Sequence, residues 1–225
     1  MIFPTLKGQM PGYVDLDEYA RGWLLRNGYC RIRSGAVGYP KISPLLDPTI
    51  CQFMVLECHA KLGLDFSYGG WLEDRSVLWS GSYLDLGSKY IHLGLDINTK
   101  AGTPIALDMP GEIVLVDNDH PLVGGWGTRV MVKLDDAPIV LIYGHLAHVR
   151  HVVGATLKRG DIFAAVGPSS SNGAWYTHAH VQAMTLQAYE CFLDKSLELD
   201  GYGRHDDISR LARLFPDPMQ FIELG

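Results

Sequence analysis

The run "AWYTHAHVQAM", residues 174–184, decides the fold. Successive side chains of an extended strand point to opposite faces, so Tyr176, His178, His180 and Gln182 share one side while Thr177, Ala179 and Val181 share the other. The back side is small and apolar, suited to burial. The front carries two imidazoles, each costly to bury without a partner. The same alternation in "IHLGLDI", residues 91–97, sets His92, Gly94 and Asp96 on one face with Leu93, Leu95 and Ile97 behind them. His145 closes the run "PIVLIYGHL", where alternation aims it opposite Leu146.

Around these runs the chain has a β texture from about Tyr90 onward: "PIALD", "GEIVLVD", "TRVMVKL" and "DIFAAVG" are short apolar stretches punctuated by turn residues. Such close spacing leaves no room for the long crossovers that parallel pairing needs, so the expected fold is mainly β with an antiparallel sheet. Helices are expected on both flanks. Asp15 or Asp17 can cap a helix whose apolar residues Leu16, Tyr19, Ala20, Trp23 and Leu24 share a face, with Asn27-Gly28 as its stop. A second helix follows Asp47 as N-cap and Pro48 as its first position, ending at Gly63. "SGAVGYPKISPLLDP" between them reads as connecting chain. "DDISRLARLFPDP" supplies a short C-terminal helix capped by Asp206 or Asp207 and stopped at Pro216. The expected organisation is a helical and loop region over 1–80 packed on the core, a β domain over 81–190, and a helical tail over 191–225.

The 225 residues, 47% hydrophobic and 20% charged, suit one compact domain. A formal net charge of −6 leaves little cationic surface for nucleic acid or anionic lipid. No apolar run reaches the length of a membrane span, and the N-terminus lacks the basic start and apolar core of a secretory signal. Cys30, Cys51, Cys58 and Cys191 have no C-x-x-C spacing, which fits free thiols in a reducing compartment. Cytoplasmic residence, or export by another route, is the expectation; oligomeric state is not legible.

Five groups therefore stand out: His92, Asp96, His145, His178 and His180. Hydrolytic zinc sites use three protein ligands of imidazole and carboxylate type and keep a fourth position for water, so three of the five can hold a metal and two can handle protons. His59, His120, His148, His151 and His205 read as ordinary hydrogen-bonded histidines. The combination H-x-x-x-D, H-x-H and a strand-end histidine resembles the lysostaphin/LytM-type zinc metallopeptidases, which cut peptide cross-links of bacterial cell walls. The resemblance spans about Tyr90 to Gln182. Gly102-Thr103-Pro104, Gly125-Trp126-Gly127, "YGHL" and "LKRGD" agree with it, whereas Ala179, Thr128 and the long loop "PSSSNGAWYT" depart from the usual pattern.

The resemblance implies a LytM/lysostaphin-like β fold with a duplicated hybrid motif, and one zinc ion per chain held by His92, Asp96 and His180. His145 and His178 would serve catalysis, with their division of labour open. It also implies a peptide or peptidoglycan-stem substrate. A phenol upstream of the first ligand assists the transition state in the resembled family; Tyr83 and Tyr90 are both candidates, as is simple packing for either. Arg75 can meet a substrate carboxylate or pair with an acid of its own chain. H-E-x-x-H, G-x-S-x-G, Walker A and G-x-G-x-x-G elements are absent from the sequence. The alternative to an enzyme is a peptidase-like module that binds zinc without turnover.

Overall fold

The computed structural model describes residues 2–119, 124–172 and 175–224. Among these described residues, fourteen strands run in chain order: β1 (Pro11–Tyr13), β2 (Arg31–Arg33), β3 (Ala36–Gly38), β4 (Phe66–Gly69), β5 (Ile91–His92), β6 (Leu95–Asn98), β7 (Pro104–Ala106), β8 (Gly111–Asp119), β9 (Gly127–Leu134), β10 (Ile139–Ala147), β11 (Thr156–Leu157), β12 (Ile162–Val166), β13 (Ala179–Thr185) and β14 (Tyr202–Gly203). Four α-helices accompany them: α1 (Leu16–Arg26), α2 (Pro48–Leu62), α3 (Leu186–Leu193) and α4 (Ile208–Leu214). The main sheet has the order β1-β4-β6-β13-β10-β9-β8-β11, with β12 bridging β10 and β7. Its pairings among the described residues are antiparallel except β1 with β4.

The fold is thus mainly β, as the run lengths imply, but the first eighty residues do more than pack on it. Their strands β1 and β4 extend the sheet beside β6, with Gly69 opposite Asp96. The expected connecting chain between the first two helices also holds a small hairpin, β2 with β3. Helix α3 was not anticipated. It follows β13 directly, and the Thr185 hydroxyl caps it by accepting from the Ala188 amide.

Helix ends follow local chemistry. Asp15, not Asp17, caps α1 by accepting from the Glu18 amide at 2.9 Å. Asp17 is buried and accepts from both the Val77 and Leu78 amides at 2.8 Å, latching α1 to the segment that precedes the β core. Asp47 caps α2, Pro48 opens it, and Gly63 ends it at φ +66°, a conformation that suits glycine. Asp207 occupies the cap position of α4 without a capping bond; Arg210 takes its carboxylate instead.

Two apolar layers sandwich the centre of the sheet. Leu95, Ile97, Leu141, Tyr143, Val181 and Ala183 join Phe163 and Phe66 on one side, sealed by Ile2, Phe3, Ile222 and Leu224 from the two chain ends. On the other, Met131, Val140, Ile142 and Met184 meet Leu211 and Phe215 of the C-terminal region. A third cluster joins α1 and α2 to Trp79 and Tyr176. Among the described residues, no helix is long and apolar enough to cross a membrane.

Candidate metal centre

His92 and Asp96 are four residues apart, which along a straight strand is about 13 Å. They meet because the run breaks at Leu93-Gly94: β5 leaves the sheet to pair with β14, while β6 stays between β4 and β13. Gly94 permits the bend, since a Cβ there would stand 2.5 Å from His180 Nε2 and 2.6 Å from the Val181 carbonyl oxygen. Across the sheet, Asp96 lies in register with His180. The result brings His92 Nε2 to 3.1 Å from His180 Nδ1, and Asp96 Oδ1 to 3.2 Å from the first and 3.1 Å from the second.

The outward-facing atoms of these three residues fix which atoms face inward. His92 Nδ1 lies 3.0 Å from the Gly70 carbonyl oxygen, so it carries the proton and Nε2 presents a lone pair. Gln182 donates from Nε2 to the Asp200 carbonyl at 3.3 Å, so its Oε1 accepts from His180 Nε2 at 3.1 Å and leaves His180 Nδ1 bare. Asp96 Oδ2 accepts from Arg75 and from the Tyr176 hydroxyl, leaving Oδ1 free. Three lone-pair atoms therefore converge with no proton between them. The N, N, O donor set fits zinc. Among the described residues these three form a metal-capable group, its donor atoms all within 4.8 Å of one another.

Burial pushes the Asp96 carboxyl up, but the imidazoles of His92 and His178 and the Arg75 guanidinium outweigh it and hold Asp96 well below the usual carboxylate range. Burial, helped by the Arg75 charge, lowers His92 to about 4, so its ring is neutral and ready to ligate at neutral pH. Burial also lowers His178, and it takes His145 well below the ordinary imidazole value, aided there by the charges of His178 and His180.

His178 and His145 stand beside the three donors, their rings 4.6 Å apart. His178 Nδ1 lies 2.8 Å from the Tyr176 carbonyl oxygen and donates to it, so Nε2, 3.6 Å from Asp96 Oδ1, is a free base. Asn172 reinforces this turn: its Nδ2 donates to the same carbonyl and its Oδ1 accepts from the Trp175 amide. His145 sits at φ +60°, where β10 slips register against β9 between Tyr143 and Leu146. The irregularity turns its ring toward His178, and its buried Nδ1 has no partner among the described residues.

All five sequence-predicted groups therefore line one cavity of about 480 Å³, as does Tyr83. Tyr90 does not. Its hydroxyl donates to Asp85 Oδ1 at 2.5 Å and its ring packs on the helical cluster, away from the cavity lining. Arg75 also lines the cavity and takes the second of its two readings: only 1% exposed, its guanidinium is paired with Asp96 and Glu73 of its own chain rather than free to meet a substrate. His59 bonds Ser67; His148, His151 and His205 lie off the cavity lining, and His120 falls outside the described residues. Sequence reasoning missed Tyr176 as the second donor to Asp96, Asn172, and the Leu199–Tyr202 wall. The one available signal was that alternation over residues 174–184 puts Tyr176 on the face of His178 and His180, although the strand itself begins only at Ala179 and Tyr176 sits in the bend before it.

Residues 90–189 match the model of peptidase family M23. That stretch contains the H-x-x-x-D, H-x-H and strand-end histidine motifs on which the resemblance rests. Among solved structures, the chain is similar to the catalytic domain of a point mutant of the prophage-encoded M23 protein EnpA from Enterococcus faecalis. Identity is 26%, coverage is 53% of this chain and 81% of that one, and the TM-score is 0.42. It is also similar to the catalytic domain of the antimicrobial peptidase lysostaphin from Staphylococcus simulans, at 23% identity over 58% of this chain and 78% of that chain, TM-score 0.42. Against the longer lysostaphin structure the values are 18%, 69% and 48%, with a TM-score of 0.47, so the match spans about half of that protein. No curated protein matches the chain.

Proposed function

We propose that the protein is a zinc-dependent M23 peptidase that hydrolyses a peptide amide bond, in a peptidoglycan cross-link or a related peptide. The observation that carries this reading is the convergence of three unprotonated donor atoms beside two imidazoles held neutral. Zinc, when bound, polarises the scissile carbonyl and lowers the pKa of a water to about 7. His92, Asp96 and His180 would hold it.

The chain's own chemistry then falls to His178 and His145. His178, with Nδ1–H given to the Tyr176 carbonyl, offers Nε2 as the acceptor for the proton of the attacking water and returns it to the leaving amine. His145 flanks it and supplies a donor to the developing oxyanion. Tyr83, Trp79, Trp126, Trp175 and Tyr202 wall the cavity with aromatic surface that excludes water and fits an extended peptide.

The test is metal content by elemental analysis, followed by incubation with muropeptides and with ordinary peptides, cleaved bonds being identified by mass spectrometry with and without chelator. Zinc uptake with chelator-sensitive cleavage is the expected result. A zinc-loaded chain that cuts neither substrate replaces this reading with that of a binding module, and a chain without zinc overturns it.

A further inference from the structure

We infer that Arg75 and Tyr176 are positioning residues that clamp the far oxygen of Asp96 and so make this carboxylate a one-oxygen ligand, an inference that rests on the metal-site reading above. Asp96 divides its two oxygens. Oδ1 faces His92 Nε2 and His180 Nδ1, whereas Oδ2 accepts from Arg75 Nη1 and, at 3.1 Å, from the Tyr176 hydroxyl. An oxygen that receives a guanidinium and a phenol has its lone pairs engaged, so it cannot swing round to a cation held by Oδ1.

The clamp is itself braced. Arg75 lies 5.5 Å over the Trp79 ring, its backbone amide donates to the Tyr90 carbonyl at 2.9 Å, and Glu73 Oε2 stands 3.4 Å from Nη2. Glu73 in turn accepts from the Tyr13 hydroxyl at 2.7 Å. Asp17 of α1 anchors Val77 and Leu78, just past the arginine. Tyr176 packs against the helical cluster and lies 4.7 Å from the His178 ring. Arg75 and its braces Glu73, Trp79 and Tyr13 precede residue 90, so the metal centre is completed by chain outside the M23 match.

Tyr176→Phe removes one hydroxyl and keeps the ring; Arg75→Lys keeps the charge but loses the planar fork. Zinc affinity measured by competition with a chromogenic chelator should fall roughly 10- to 100-fold in each. With Co²⁺ as the probe, the visible absorption should weaken and shift in both variants, because a freed Asp96 can offer both oxygens and raise the coordination number. A merely structural role would leave that spectrum unchanged. Wild-type affinity or a wild-type Co²⁺ spectrum in both variants overturns the clamp alone. A wild-type chain that takes up neither ion overturns the metal-site reading and the clamp together.

Discussion

The stretch that matches the M23 model and the segments on either side of it contribute differently to one cavity. Residues 90–189 hold the three converging donors and both neighbouring imidazoles. The flanks hold what keeps them there: the Gly70 carbonyl on His92, the Arg75 guanidinium on Asp96, and the Asp200 carbonyl that turns Gln182 toward His180. The donor atoms thus lie within the matched stretch, while their orientation comes partly from Tyr176 and Gln182 in that stretch and partly from segments on either side of it. The difference teaches that the flanks are integral to the site, since a ligand whose far atom is loose can rotate away from its partners.

The sharpest way to break this comparison is to remove a donor. Asp96→Ala or His180→Ala should abolish both metal uptake and turnover, whereas a flank residue should weaken uptake without ending it; elemental analysis of the purified variants decides. One step down, His145→Ala and His178→Ala should keep the metal and lose about 10²- to 10⁴-fold in turnover, read from cleavage rates at saturating zinc. For stability, Phe66→Ala deletes a fully buried ring of the flank strand β4 and should cost about 3–5 kcal/mol in a urea titration, as a core residue of the matched stretch would. A small effect there would mean that the first eighty residues are only appended.

A pH titration of the metal-free chain sharpens the same contrast. The folded pKa of His92 is depressed to about 4, below the unfolded value near 6.5, and His145 and His178 are depressed as well. Between those values the unfolded chain binds more protons than the folded one. Stability is therefore full above about pH 6.5 and is lost as pH falls toward 4, and His92→Gln should flatten that slope in melting temperatures. The smallest effect is expected at Arg159, whose exposed pair with Glu223 ties β-domain surface to the C-terminal tail. Arg159→Ala should leave the midpoint of the urea titration close to that of the unaltered chain, because solvent screens an exposed pair.

The five central groups were legible because alternation on a strand tells which side chains share a face, and His178, His180 and Asp96 obey it. The path was not legible. Alternation alone leaves His92 and Asp96 far apart, and the bend at Leu93-Gly94 that joins them depends on β14, more than a hundred residues later in the chain. Arg75 was ambiguous between a substrate contact and an internal pair because it lies outside the strands and its partner sits on β6, 21 residues later in the chain. Tyr176 showed the right face but nothing to bond. Helix α3 stayed hidden since "LQAYECFL" mixes aromatic residues with good helix formers, and its start depends on Thr185 turning from strand to cap. Strands β1 and β4 are too short to declare their partners, and long-range pairing sets their place beside β6.

Gln182 bonds an imidazole with its oxygen and a main-chain carbonyl with its nitrogen. A primary amide has a direction, so reversing it would set oxygen against oxygen and N–H against N–H. This one planar group therefore works as a polarity key: the C-terminal segment docks on β13 in a single sense, and that docking is transmitted to the tautomer of His180.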